Sequence, residues 1–173
     1  MRTPAVLLLL AAAACSADTA EAPERAELLA PIFAAAADDH FSTHATGAEE
    51  VPANSSRAQG QALFRLSDDG MELHYRLIVA NIENVTQSHI HRAPAGTNGG
   101  VVVWLYPTAP PAQLIPGRTQ GILAEGTITA ADLVGSLAEQ PLSALVAEIR
   151  SGNAYVNVHT SQFPPGEIRG QID

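Results

Sequence analysis

Cysteine is nearly absent from this chain of 173 residues: Cys15 is the only one. That excludes an internal disulfide, a CxxC motif and a thiolate metal cluster, so any metal must be held by His, Asp, Glu or backbone oxygens. Basic residues are also scarce, nine against eighteen acidic ones, and they form no run or stripe. A net charge of -9 argues for solubility and against phosphate-driven nucleic-acid binding. No GxGxxG or GxxxxGK[ST] spacing occurs, so the glycine-rich stretch Ala95 to Gly100 gives no support for phosphate binding. No GxSxG elbow occurs either, and nucleophilic catalysis has no evident centre. No repeat of 20–50 residues is visible.

The longest apolar run, Ala5 to Ala14, is too short for a spanning helix, which needs roughly 20 residues. With Arg2 before it, it fits the core of a signal peptide. Leu10 to Cys15 resembles a bacterial lipoprotein box, with Ala12 where such boxes usually carry Leu, and the resemblance implies lipidation of Cys15 after cleavage. The expected product is an exported protein: a membrane-anchored lipoprotein in the periplasm or on the outer surface of the cell envelope, or otherwise a secreted one. Residues 16–39, rich in Ala, Glu and Pro, read as a flexible tether, with a brief helix conceivable over 28–37. Residues 1–15 are then the signal, 16–39 the tether and 40–173 one folded domain. In a bacterial-type exported chain the Asn54-Ser55-Ser56 and Asn84-Val85-Thr86 sequons carry no glycosylation argument.

From His40 onward the pattern is that of β-structure. Strands are predicted over Phe41 to Thr46, Gln59 to Leu66, Met71 to Val79, Val101 to Tyr106 and Gly121 to Ile128. Gly47 to Pro52 and Ser67 to Gly70 are turns, Asn81 to Val85 is a bend, and the proline-rich 107–117 stretch is a loop. The continuous apolar run Val101 to Tyr106 suggests a central strand. One helix is expected after Pro141, with Leu142, Leu145, Val146 and Ile149 on a single face and Gly152 as its stop. Thr129 to Leu133 suggests a shorter helical turn. Seven or eight short strands with one or two helices predict an all-β antiparallel sandwich.

Three segments combine an apolar row with an unusually specific polar row. Side chains two apart on a strand share a face. His89 and His91 therefore lie together, opposite Ile90; Tyr155, Asn157 and His159 oppose Ala154, Val156 and Val158; Glu167, Arg169 and Gln171 oppose Ile168 and Ile172. Function is expected where these polar rows meet.

Gly47-Ala48-Glu49-Glu50-Val51-Pro52, Gly60-Gln61-Ala62, Leu73-His74-Tyr75-Arg76-Leu77, Ser88-His89-Ile90-His91 with Ala95 to Gly99, and Tyr155 to Thr160 with Phe163 to Ile172 carry a family resemblance. In that order, from about Phe41 to Ile172, they resemble the CHRD domain, named for chordin and found alone in many bacterial exported proteins. The resemblance implies an immunoglobulin-like or superoxide-dismutase-like β-sandwich and no settled activity. The growth-factor-binding modules that accompany the domain in chordin-like proteins are cysteine-rich and have no counterpart here.

His89, His91 and His159 are the candidate metal ligands, with His74 as a candidate fourth. An imidazole-rich, thiolate-free set suits copper(II), zinc or nickel, copper or zinc above all. Tyr155 and Asn157 could orient the imidazoles, and Glu167 with Arg169 could fix a charge network beside them, which Glu50 could join. His40 and His44, near the tether, are poor candidates. The competing reading makes the three histidines structural, bonding backbone groups of the 95–100 loop. The chain would then be a non-enzymatic module engaging an envelope protein or polymer. The His-x-His pair also looks like part of the copper site of copper–zinc superoxide dismutases, but without a bridging histidine or a second cluster a copper oxidoreductase has the least support.

Overall fold

In this computed structural model the structure describes residues 39–173. The expected signal segment, Cys15, and the tether as far as residue 38 lie outside the described residues. Seven strands and one α-helix form among the described residues: β1 (His40–Thr46), β2 (Gln59–Leu66), β3 (Leu73–Arg92), β4 (Gly100–Tyr106), β5 (Ile115–Ile128), α1 (Leu142–Arg150), β6 (Ala154–Thr160) and β7 (Ile168–Gln171).

The protein is mainly β and its strand pairs are antiparallel, as expected, but the two-sheet sandwich is not what forms. The strands make one sheet in the order β2-β1-β7-β6-β3, and β3 also pairs with β2. Five strands thereby close into a barrel, and β4 and β5 pair with β3 on its outside. Closure rests on the length of β3. Its first half pairs with β2, from Leu66↔Leu73 to Gln59↔Ala80, and its second half with β6, from Val85↔Thr160 to Arg92↔Ala154. The expected bend at 81–85 is instead a bulged continuation of this 20-residue strand. Asn81 and Asn84 adopt left-handed φ values of 56° and 54°, and the β5 register shifts on either side of Ile82 and Glu83. Such bulges sharpen strand curvature without ending the pairing.

β4 also departs from expectation. Its apolar run lies in an outer strand bonded to β3 alone. Its other side is covered by the irregular segment after β5, where the Val134 amide donates to the Val102 carbonyl at 2.9 Å. Val102, Val103 and Leu105 are buried.

The core is filled by alternate residues. Ala62 and Phe64 of β2, Leu73, Tyr75, Leu77 and Val79 of β3, Val156 and Val158 of β6, and Ile168 of β7 all join one apolar cluster. α1 adds Leu142, Leu145, Val146 and Ile149, the predicted face. A nine-residue helix is marginal alone; burying each such side chain contributes about 1.5–3 kcal/mol and holds it. Arg150 lies over the Phe41 ring at 5.7 Å and Glu148 pairs with Arg92 at 2.7 Å. Gly152, at φ 68°, ends the helix. The turn expected near Thr129 forms as a 3₁₀ turn, Ala130–Asp132, with Thr129 and Asp132 in a reciprocal capping box.

Candidate metal centre

The polar rows meet on the face opposite the core. β3 and β6 pair His89 with Asn157 and His91 with Tyr155, and β6 and β7 pair Asn157 with Arg169. On the other edge His89 pairs with Trp104 of β4. Trp104, His89, Asn157 and Arg169 thus form one rung across four strands, with His159 two residues along β6.

These side chains are buried although they point away from the core. His89 is 2% exposed, His91 9%, His159 7% and Arg169 2%. Three loops cover them and are clasped by side-chain hydrogen bonds. His91 Nδ1 donates to the Gly99 carbonyl at 2.9 Å, and His159 Nδ1 to the Pro164 carbonyl at 2.9 Å. Arg169 donates to the carbonyls of Pro94 (3.3 Å) and Thr97 (2.8 Å) and to Asn98 Oδ1 (3.2 Å). Asn98 in turn donates to the Val51 carbonyl, and Asn54 to the Glu167 carbonyl. Gly99 must be glycine for this loop to settle, because a Cβ there would collide with the Arg92 carbonyl.

The clasps decide where the imidazole protons lie. A carbonyl oxygen only accepts, so the protons of His91 and His159 sit on Nδ1 and each Nε2 presents a lone pair. His89 Nδ1 is 3.2 Å from His159 Nε2. Nε2 of His89 and of His91 have no hydrogen-bond partner although both are buried. One ligating nitrogen from each of the three rings lies within 4.8 Å of the others. A tetrahedral ion with bonds of about 2.0–2.1 Å spaces its nitrogens about 3.3 Å apart. His89 Nδ1 and His159 Nε2 already stand near that spacing, and the His91 nitrogen lies within 4.8 Å of the set.

Electrostatics favour the ligating form. Burial pushes the His89 pKa down to about 3, with repulsion from His159 and His91 adding to the shift. Burial lowers His91 to about 4, partly offset by its bond to the Gly99 carbonyl, with His159 and Arg169 lowering it further. His159 is lowered by burial and partly restored by the Pro164 carbonyl. All three are therefore neutral at neutral pH, the form that binds a metal. Glu50 is shifted the opposite way, up to about 7, because burial outweighs its bond with Asn157 and its attraction to Arg169. Asn157 Nδ2 donates to Glu50 Oε1 at 2.6 Å.

Tyr155 lies between a cation and an imidazole. The Arg169 guanidinium sits 3.5 Å from its ring centroid, and His91 stacks on it at 4.8 Å and 9°. Its hydroxyl accepts from the Gly99 amide at 3.2 Å. Glu167 accepts from Ser56 at 2.6 Å and Thr160 at 2.7 Å. His74 lies apart on the first half of β3, bonded to Thr127 at 3.0 Å. There it lines a depression of about 780 Å³ with His40, Arg65 and Glu125, which shares no residue with the histidine cluster. His44 lies on β1, outside the cluster.

Sequence reasoning missed Trp104, whose ring meets His89 edge-on at 4.3 Å and 88°. Its signal was that it is the chain's one tryptophan. It also missed the carbonyls of Gly99 and Pro164, which carry no side-chain signal at all.

No curated protein and no solved structure matches the chain. The family model of the CHRD domain matches residues 41–172, all of the described residues but 39, 40 and 173, and the chain belongs to the CHRD domain family.

Proposed function

We propose that this CHRD chain is an exported metal-binding module, tethered to the cell envelope through a lipid on Cys15, that holds a copper or zinc ion with His89, His91 and His159. One observation carries the metal reading: three buried neutral imidazoles converge within 4.8 Å, and two of them leave Nε2 without any partner. A buried nitrogen that makes no hydrogen bond carries a desolvation penalty, and at His91, whose Nδ1 is held by Gly99, an ion on Nε2 would relieve it. The clasped Nδ1 atoms are the kind of outer hydrogen bond that fixes ring orientation in metal sites. No group in the cluster is placed for nucleophilic chemistry, and the proposal includes no catalysis.

The same clasps favour a second reading. His91 and His159 hold the 94–100 and 161–167 loops, and a loop-bearing barrel of this kind would serve as a module for binding an envelope protein or polymer. Metal content separates the two. Protein purified from envelope without chelator is expected to carry near-stoichiometric copper or zinc by mass spectrometry, and a His89/His91/His159 triple-alanine form none. Stoichiometric metal persisting in a folded His89→Ala, His91→Ala double variant would sink the metal site. A parent protein that takes up neither ion would leave the binding module as the reading.

A further inference from the structure

The three donors are neutral, and among the described residues no carboxylate joins them within ligand range. A bound ion would therefore keep its full formal charge in a buried place. A second buried cation stands close by: Arg169 presses on one face of Tyr155 and His91 on the stacked ring system beside it. The hydrogen bonds of Arg169 go to neutral acceptors, Asn98 and the carbonyls of Pro94 and Thr97. Of the nearby carboxylates, Glu50 is bonded to Asn157 and Glu167 to Ser56 and Thr160.

Charge and coordination number then discriminate among ions where ligand type does not, since imidazole suits both zinc and copper. The energy of burying an ion rises with the square of its charge. Repulsion from Arg169 rises in proportion to it. Both effects weigh against a dication. With three histidines zinc needs a water or another donor to complete its four tetrahedral positions, whereas a cuprous ion is content with three.

Building on the metal reading above, we propose that the cluster is a copper(I) site, in which three imidazoles hold a cuprous ion and Arg169, beyond Tyr155, discriminates against zinc(II) and copper(II). Arg169 is a positioning and selecting residue here and touches no metal.

The test uses the full-length protein, titrated anaerobically with ascorbate-reduced copper in competition with bathocuproine disulfonate, and separately with zinc(II) and copper(II) against chromogenic chelators. Emission from Trp104, beside His89, reports occupancy. One copper(I) per chain is expected, bound tighter than either dication by roughly a hundredfold. For the two copper states that ratio corresponds to a rise in the bound couple of about 120 mV. Zinc binding as tightly as copper(I) to the same histidines would overturn the selectivity and leave the metal site standing. No binding of any of the three ions would overturn both. Arg169→Gln is expected to strengthen zinc binding by about twice the logarithmic gain for copper(I), and Glu50→Gln, titrated above pH 7 where the carboxyl has lost its proton, to weaken it in the same ratio. If Arg169→Gln does not fold, Glu50→Gln, which keeps an acceptor for Asn157, carries the test. Equal logarithmic changes for both ions would overturn the electrostatic basis.

Discussion

In the first half of β3, His74 and Arg76 point away from the core into solvent, with Arg76 3.0 Å from Glu125 and both partners more than half exposed. In the second half, His89 and His91 also point away from the core, and they are buried. The strand, the alternation and the residue types are alike; the difference is what lies above. Over the first half there is an open depression, and over the second the 47–56, 94–100 and 161–167 loops, drawn down by Arg169, Asn54, His91 and His159. The same polar row is thus an ordinary solvated face in one place and a desolvated histidine cluster that could hold a metal in the other.

The largest expected effect that sharpens this contrast is on the arginines. Arg169→Ala strands the Pro94 and Thr97 carbonyls and empties a buried place, and should destabilise the protein by about 3–5 kcal/mol. Arg76→Ala breaks an ion pair on the open half and should change stability by less than about 1 kcal/mol. Urea denaturation of both variants checks this, and similar losses would break the distinction between the two halves.

A smaller effect is expected from acid. His89 and His91 have folded pKa values of about 3 and 4 against an ordinary 6.5, so between those limits the unfolded chain binds protons that the folded cluster refuses. Their contribution is complete above pH 6.5 and is lost progressively as the pH falls toward 4. Glu50 acts with the opposite sign. Its folded carboxyl keeps a proton up to about pH 7, whereas an ordinary glutamate releases it near 4.5, so its contribution is present at acid pH and is lost as the pH rises through 7. The melting temperature of metal-free protein is therefore expected to fall between pH 6.5 and 4, and more steeply in Glu50→Gln. A profile no steeper in that variant would show that Glu50 does not oppose the histidines.

Much of this was legible in the order of residues. β2 and β6 occupy the stretches their alternation marks, Gln59–Leu66 and Ala154–Thr160, and α1 buries the four residues its spacing selects. The pairing of His89 with His91, and of Tyr155 and Asn157 with His159, follows from a period of two, which is a local property of the strand. Trp104 escaped notice because only the register of β4 against β3 brings it beside His89.

The sequence by itself determined which side chains share a face, where the helix would run, and that no cluster of thiolates can hold a metal, because these depend on neighbours in the chain and on composition. Tertiary structure alone decided that the sheet closes into a barrel, since alternation sets the face of a strand but not which edge it meets. It alone decided that the polar rows converge and are covered, since that requires β3 to reach both β2 and β6 and three distant loops to find hydrogen-bond partners on one face. Burial is a property of that assembly, and burial is what turns three surface-patterned histidines into neutral, converging imidazoles.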